Sequence, residues 1–268
     1  MTLAVSAGVT RRESVRAVRT VQVVGIGLGD PGQLTLDAVE ALGGVDVVVL
    51  LHKPGPADEL TAIRAAIVER FAPQARVVER DDAVRDRASA DYEGATERWR
   101  DERAALYEQT LLDEVPDGGS CGLLVWGDPA IYDGTVEMLH RLDARGRVEL
   151  DWRVVPGLGA PSVLAAAHRT TLTRTARAAT ITPARRVLDD SVDSGEADLV
   201  VMLDGSKAHG LEHLPDDATV YWGAYVGTGD EVLISGRVGD VREEILAARV
   251  EHRERKGWLM DTYLVRRA

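Results

Sequence analysis

The stretch Val21-Gln22-Val23-Val24-Gly25-Ile26-Gly27-Leu28-Gly29-Asp30 decides how the rest of the chain is read. A short, mostly β-branched run halts at a glycine, which reads as a buried strand. Three glycines at alternate positions then ask for an approach of backbone to backbone or ligand that side chains would block. Beyond them Leu34, Leu36, Ala38, Val39 and Leu42 carry the apolar face of a helix that stops at Gly43-Gly44. Strand, glycine loop and helix open an α/β domain, whose ligands gather at the carboxyl ends of its strands. A dinucleotide fingerprint would have glycine at position 30. Asp30 stands there instead, and its carboxylate would repel a pyrophosphate seated on the helix N-terminus. The acidic residue expected to close the second strand is also missing, since Asp46 precedes that strand's apolar run. NAD and FAD are disfavoured.

Working outward, strands are expected at 45–51, 76–79, 122–126 and 151–155, with helices at 58–71, 91–114 and 133–145. That alternation implies a mainly parallel sheet. The 91–114 helix reads as amphipathic, with Tyr92, Trp99, Leu106 and Asp113 at intervals of seven and charges on its other face. After residue 157 come a helix at 162–167, a basic loop, and strands at 178–182, 199–203, 219–225, 231–236 and 258–265 around a helix at 241–254. Strands adjacent in sequence suggest a more antiparallel second sheet. The expected organisation is a flexible leader (1–18; a transit peptide is the compositional alternative), an N-terminal α/β domain (19–157) and a C-terminal α/β domain (158–268).

Composition excludes several classes. Over 268 residues, 45% are hydrophobic and 28% charged, which is ordinary globular content and not that of a disordered chain. Lys and Arg total 32 against 44 Asp and Glu, and a net charge of −12 disfavours phosphate backbones and anionic membranes. The longest apolar run, Val47-Val48-Val49-Leu50-Leu51, is far short of a membrane span. The single cysteine, Cys121, lies in an expected strand, reads as a core thiol, and asks for no oxidising compartment. A cytoplasmic enzyme fits these bounds. His140, His168, His209 and His213 have no zinc-ligand spacing with cysteine, so no metal is expected.

Two further glycine turns follow strands: Trp126-Gly127-Asp128-Pro129-Ala130-Ile131-Tyr132 and Val154-Val155-Pro156-Gly157-Leu158-Gly159-Ala160. Three such turns in one sheet would line a single crevice. In this order, the first turn with Leu34-Thr35 behind it, and with Val200-Val201-Met202-Leu203-Asp204-Gly205, Gly227-Thr228-Gly229-Asp230-Glu231 and Ser235-Gly236 after the third, the motifs resemble the tetrapyrrole (uroporphyrinogen/precorrin) methylase family. The resemblance runs from about Val21 to Val265. It implies that family's two-domain α/β fold, with an active-site cleft between a mainly parallel sheet and a mixed one.

It further implies a homodimer using S-adenosylmethionine, which leaves as S-adenosylhomocysteine, on a tetrapyrrole substrate. The family's cofactor contacts fall on Leu28, Trp126, Gly127, Asp128, Ile131, Gly159, Ala160, Leu203 and Gly227. The chain departs from the family's pattern at Leu28, usually proline, and at Gly159, usually a small hydroxyl residue. Within the family, Trp99-Arg100, Val125-Trp126, Ala166-Ala167-His168-Arg169, Tyr221-Trp222-Gly223-Ala224-Tyr225 and Gly257-Trp258-Leu259-Met260-Asp261-Thr262-Tyr263 resemble the members that couple methylation to deacetylation. That implies methylation of precorrin-5 at C-1 with release of acetate.

Methyl transfer asks mainly for in-line positioning, so the lack of an obvious triad does not count against it. A carboxylate-rich macrocycle needs cations. Arg169, Arg174, Arg177, Arg185 and Arg186 lie together without an acidic residue among them, with Arg174, Arg185 and Arg186 as the expected contacts. A solvated basic loop is the alternative. His52-Lys53 offers Lys53 as a second cation, and Tyr132 either hydrogen-bonds the substrate or packs. Deacetylation needs water activated at a carbonyl, for which Asp30 is the candidate base, its other reading being a helix cap. Two rival functions remain: a tetrapyrrole methylase acting at another carbon without deacetylation, and a non-catalytic tetrapyrrole-binding protein.

Overall fold

The computed structural model describes residues 18–52, 58–86, 89, 91–187, 197–205 and 209–267. The leader expected at 1–18 therefore lies outside the described residues except for Val18, and so does Lys53. The first sheet contains β1 (Arg19–Gly25), β2 (Val47–His52), β3 (Arg76–Asp81), β4 (Ser120–Val125) and β5 (Leu150–Val155), in the order β3-β2-β4-β1-β5. Every pairing in it is parallel. Where both faces are covered, the inner strands β2 and β4 are near-continuous apolar runs, whereas the edge strands β3 and β5 keep exposed polar residues.

One face of that sheet carries α1 (Leu36–Gly43) and α2 (Asp58–Phe71), whose Ala38, Leu42, Ile67 and Val68 pack on Val24, Val48 and Leu50. The other carries α3 (Tyr92–Glu114) and α4 (Thr135–Arg145), whose Ala104, Tyr107, Leu111, Leu139 and Leu142 pack on Val21, Val23 and Val49. Thr35 caps α1 by accepting from Ala38 N (3.0 Å), and Asp91 caps α3 by accepting from Gly94 N (3.0 Å). The chain leaves β1 toward β2 and leaves β4 toward β5, on opposite sides. The boundary between β1 and β4 is thus the point where strand order reverses, the usual ligand crevice of an open α/β sheet.

The inner face of α3 differs from the seven-residue spacing read in the sequence. Tyr92 and Asp113 are exposed, whereas Ala95, Ala104, Tyr107, Glu108 and Leu111 are buried. Polar residues count as inward-facing here because they are paired. Glu108, only 2% exposed, meets Arg147 at 2.9 Å, and Arg103 donates to the buried Asp82 at 3.1 Å.

The second sheet comprises β6 (Ala179–Pro183), β7 (Asp198–Met202), β8 (Thr219–Ala224), β9 (Val232–Arg237) and β10 (Asp261–Arg266), ordered β6-β7-β10-β8-β9. Only β6 and β7 pair in parallel. Helix α5 (Ala160–Ala167) lies over β8 and β10, the four-residue α6 (His209–Glu212) follows β7, and α7 (Val238–Lys256) covers the far side, ending at Gly257 with φ +74°. The sheets join through an apolar seam in which Leu28 from the loop after β1 meets Leu164, Val200, Val226 and Leu264. Lys256 adds an ion pair to Glu59 of α2 at 2.9 Å.

Candidate active site

The three glycine turns come together, and they do so through main chain. Gly27 and Gly127 form an antiparallel bridge, with Gly127 N donating to Gly27 O at 2.8 Å and Gly27 N to Gly127 O at 3.4 Å. Gly157 of the third turn sits against Gly127 and Gly25. A Cβ there would press on the Gly127 carbonyl oxygen and stand 2.7 Å from Gly25 C, while a Cβ on Gly25 would stand 2.8 Å from Pro129 Cδ. Gly127 has φ +75°, which a side chain adopts only under strain. Nothing larger than glycine fits at Gly25 and Gly157, so the floor of the crevice is bare backbone at the carboxyl ends of β1, β4 and β5.

Around that floor the turns are self-braced. Asp128 Oδ1 accepts from Ala130 N (2.9 Å), and Ile131 N donates back to Asp128 O (3.0 Å). Gly159 is the N-cap of α5 and has no side-chain cap; a Cβ on it would lie 3.2 Å from Ile131 Cδ1 and 3.5 Å from Asp128 Cβ. Trp126 packs its outer ring edge over Gly29. Thus Leu28, Trp126, Gly127, Asp128, Ile131, Gly159 and Ala160 share one neighbourhood. Asp30 accepts from Gly32 N at 2.7 Å and caps the short 3-10 turn Pro31–Gln33, so the capping half of its expected pair of roles is realised.

Sequence reasoning missed Gln33. Its Oε1 accepts from Leu28 N (2.8 Å) and its Nε2 donates to Gly227 O (3.4 Å), tying the loop of the first sheet to the loop after β8. A lone glutamine after Pro-Gly carries no motif, and only the fold brings residue 227 beside it.

Leu203 lies at the carboxyl end of β7 in the second sheet. It follows β7 with φ +57° and is 62% exposed, a conformation that costs energy for a branched side chain. Behind it lies a buried network with no local signature in the sequence. Arg249 donates to the carbonyls of Asp204 and Gly205 (2.7 Å for Gly205) and to the Asp261 carboxylate. Tyr263 donates to Asp204 Oδ2 (2.9 Å), and Trp222 Nε1 donates to Asp261 Oδ2 (2.9 Å). Burial among these groups drives the Tyr263 hydroxyl pKa up, so it stays a donor.

The expected substrate cations divide. Arg174 is spent: its Nε and Nη2 grip the fully buried Asp198 at 2.9 and 2.6 Å, and Nη2 also meets Arg267 O at 2.8 Å. A buried carboxylate at the start of β7 needs that partner, so Arg174 is a strut and not a free hand. Arg185 and Arg186 are exposed, and Arg185 lies within electrostatic reach of Tyr132. Tyr132 is half exposed at φ +53° and donates to Ile181 O at 3.2 Å, crossing from the first sheet's loop to β6.

Away from the crevice, Cys121 is buried and its thiol is pushed up to about 12 by desolvation, as a core thiol would be. Asp46 accepts from Ser120 N (2.8 Å) and Ser120 Oγ (2.7 Å) at the amino edge of the sheet, remote from any ribose at the carboxyl ends. A cavity of about 390 Å³ also sits at that amino edge, lined by Arg19, Asp117 and Arg147 among others. Arg19 is taken by Asp117 (2.7 Å) and Val115 O (2.8 Å), and none of the glycine turns borders it. Among the described residues no group of three or more His, Cys, Asp or Glu is placed to hold a metal, and no helix is long and apolar enough to cross a membrane.

Comparison with known proteins agrees with this geometry. The model of the tetrapyrrole (corrin/porphyrin) methylases matches residues 20–242. The chain is 38% identical over 252 residues to precorrin-6A synthase (deacetylating) of Sinorhizobium, covering 93% of this chain and 96% of that one. Among solved structures, a putative cobalamin-synthesis protein of Corynebacterium diphtheriae superposes with a TM-score of 0.80 at 33% identity, over 93% of this chain and 99% of that one. A cobalt-precorrin-4 methyltransferase shares the fold at a TM-score of 0.58 and 18% identity, over 92% and 94%.

Proposed function

The chain belongs to the tetrapyrrole methylases, and from that premise we propose that it transfers the methyl group of S-adenosylmethionine to C-1 of precorrin-5 and releases acetate. The observation that carries the transfer is the glycine floor. At Gly25 and Gly157 a Cβ would collide with the neighbouring turns, and Gly127 has φ +75°, so the three turns close on one another through main chain and offer backbone to a ligand at the strand ends. The deacetylating half is supported by the 38% likeness to precorrin-6A synthase over nearly the whole of both chains.

S-adenosylmethionine supplies an electrophilic methyl group that needs no acid to activate it. The protein's task is therefore alignment and exclusion of water. The 27–127 bridge locks two walls of the cradle, Gly159 at the head of α5 forms the third, and Leu203 and Gly227 approach from the second sheet. Trp126, Ile131 and Leu28 close it with apolar surface. Tyr132, Arg185 and Arg186 stand on the open side, where substrate carboxylates enter. Asp30, exposed at the rim, is the proposed base for water at the acetyl carbonyl.

We further propose a cytoplasmic homodimer built of two domains, 19–157 and 158–268, with no metal, nucleic acid or membrane partner. Support for the division is that the first sheet ends at Val155 while α5 already packs on β8 and β10. Support for the dimer is the free edge of β5, on which Val154 is exposed, together with the exposed Leu36 and Leu158.

The test is the product mass from precorrin-5 and S-adenosylmethionine, with acetate assayed in the same tube. A methyl gained and an acetyl lost is the expected result. A methyl gained with the acetyl retained would move the chain to a reaction at another carbon, and no methyl gained would end the reading.

A further inference from the structure

The loop between β8 and β9 is braced as a rigid body. Thr228 Oγ1 donates to Tyr225 O (2.8 Å) and accepts from Asp230 N (3.2 Å), while Gly227 N donates to Glu231 Oε2 (2.9 Å). Tyr225 and Gly227 take positive φ, +48° and +79°. A residue other than glycine keeps that conformation only where its surroundings over-determine it. Tyr225 is pinned by donating its hydroxyl to Trp258 O at 2.7 Å. A displacement of Asp230 is therefore passed on to Gly227.

Gly227 is seated against the first sheet's loops. Its carbonyl accepts from Gln33, whose Oε1 also holds Leu28 N. A Cβ on Gly227 would press on the Gln33 amide and stand 3.2 Å from Val163 Cγ1 of α5. The neighbouring Val226 packs in the same apolar seam as Leu28, with Trp126 and Ala160 against it. This loop thus forms the second sheet's side of the seam, beside Leu28, Trp126 and Ala160.

Farther along, the loop is gripped by Lys256, the last residue of α7. Its Nζ reaches Asp230 Oδ2 and both carboxylate oxygens of Glu59, at 2.9 and 3.0 Å, in the first turn of α2. The ammonium is fixed in direction as well as reach, lying over the Tyr225 ring at 5.0 Å and the Trp258 ring at 5.7 Å. Only 14% of the side chain is exposed. Two carboxylates and two ring faces on one ammonium make a network, unlike the isolated surface pair that contributes little. Arg255 adds a longer contact to Asp230 (3.3 Å), but none to the first sheet or its helices among the described residues. Apolar burial is non-directional, so the seam holds the sheets together without setting the loop's position. Gln33 at Gly227 and Lys256 at Asp230 supply the directional ties.

We propose that Lys256 is a positioning residue for methyl transfer, holding the Gly227 loop at the distance from Leu28 and Trp126 that S-adenosylmethionine requires. The proposal rests on the methyl-transfer reading above and extends it to a side chain that touches no reacting group.

Lys256→Met, Lys256→Arg, Glu59→Ala and the double variant Lys256→Met/Glu59→Ala are made in the full chain, with Arg242→Met as control. Arg242 lies toward the other end of α7 and holds Asp216 (2.8 Å) and Leu214 O (2.6 Å), so its loss weakens the second sheet's packing away from the loop. Calorimetric Kd values for S-adenosylmethionine and S-adenosylhomocysteine, and melting temperatures, are compared with wild type. Lys256→Met should raise both Kd values about fivefold or more. Lys256→Arg should recover most of that loss, and Glu59→Ala should raise both values by a smaller factor. The double variant should bind no worse than Lys256→Met, because the two changes break one tie. Arg242→Met should lower the melting temperature with both Kd values within about twofold of wild type.

A lowered melting temperature with unchanged Kd values in Lys256→Met would make Lys256 a strut and overturn the proposal. Glu59 is half exposed and its loss leaves the fold intact, so unchanged Kd values in Glu59→Ala overturn it even where Lys256→Met does not fold. Failure of the wild-type chain to bind either compound would instead overturn the methyl-transfer reading, and the proposal with it.

Discussion

Two loops at strand ends are held in place by opposite means. At the carboxyl end of the parallel sheet, Gly25, Gly27, Gly127 and Gly157 bring turns into direct main-chain contact, and the geometry is enforced by the absence of side chains. At the end of β7, Leu203 is held by the presence of side chains from far along the chain: Arg249 on α7, and Asp261 and Tyr263 on β10. The first device is local in sequence and steric. The second spans 45 residues from Asp204 to Arg249 and is electrostatic. The difference teaches that a positioned loop leaves a sequence signature only when backbone does the positioning.

The comparison is broken most severely on the electrostatic side. Arg249→Met leaves the buried Asp204 and Asp261 facing each other without their cation, and we expect a loss of about 3–5 kcal/mol in urea unfolding. A loss under about 1 kcal/mol would show that Tyr263 and Trp222 hold the carboxylates unaided. Next comes the steric side. Gly157→Ala forces a methyl group against the Gly127 carbonyl and the Gly25 backbone, and should cost about 1–3 kcal/mol. Because it displaces the cradle by a sizeable fraction of an ångström, S-adenosylmethionine turnover should fall about 100-fold. Near-normal kcat/KM in this variant would mean that the floor does not contact the cofactor.

Gln33→Ala sharpens the comparison, because Gln33 ties the first-sheet loop by a side chain to the loop after β8. One hydrogen bond within the loop after β1 and one between the sheets are removed, and we expect a loss of about 1–2 kcal/mol with a modest rise in the cofactor Kd. The smallest effect serves as control at the far edge. Ser120's hydroxyl and then its amide hold the Asp46 carboxyl below the usual range. A lowered native pKa adds stability that is complete above the unfolded value of about 3.9 and is lost as pH falls through the native value. Asp46→Asn should therefore be less stable than wild type at pH 7, by under about 1 kcal/mol, and equal to it at the acid end of an unfolding series. Its KM values should not move.

Legibility followed the same line. The strand–glycine–helix unit at 21–42, the run of parallel strands and the convergence of three turns could be read because hydrophobic period and glycine placement are local. The face of α3 could not, since Glu108 and Arg103 look like solvent-facing residues until Arg147 and Asp82 are brought to them. Arg174 misled for the same reason: in sequence it sits in a basic loop, while in space it closes on Asp198, 24 residues away. Asp30 carried two readings, and the turn Pro31–Gln33 realises the capping one.

By itself, then, the sequence determined the α/β alternation, the parallel first sheet, the glycine floor and the family. Each follows from spacing within a few residues, where sterics and hydrophobic period act. Only the tertiary structure decided which charges are spent and which are free. Arg174 and Arg249 are alike in composition, yet one is a strut and one a loop anchor. The energy of a charge depends on its burial and its partners, and both are set by residues that meet only when the chain is folded.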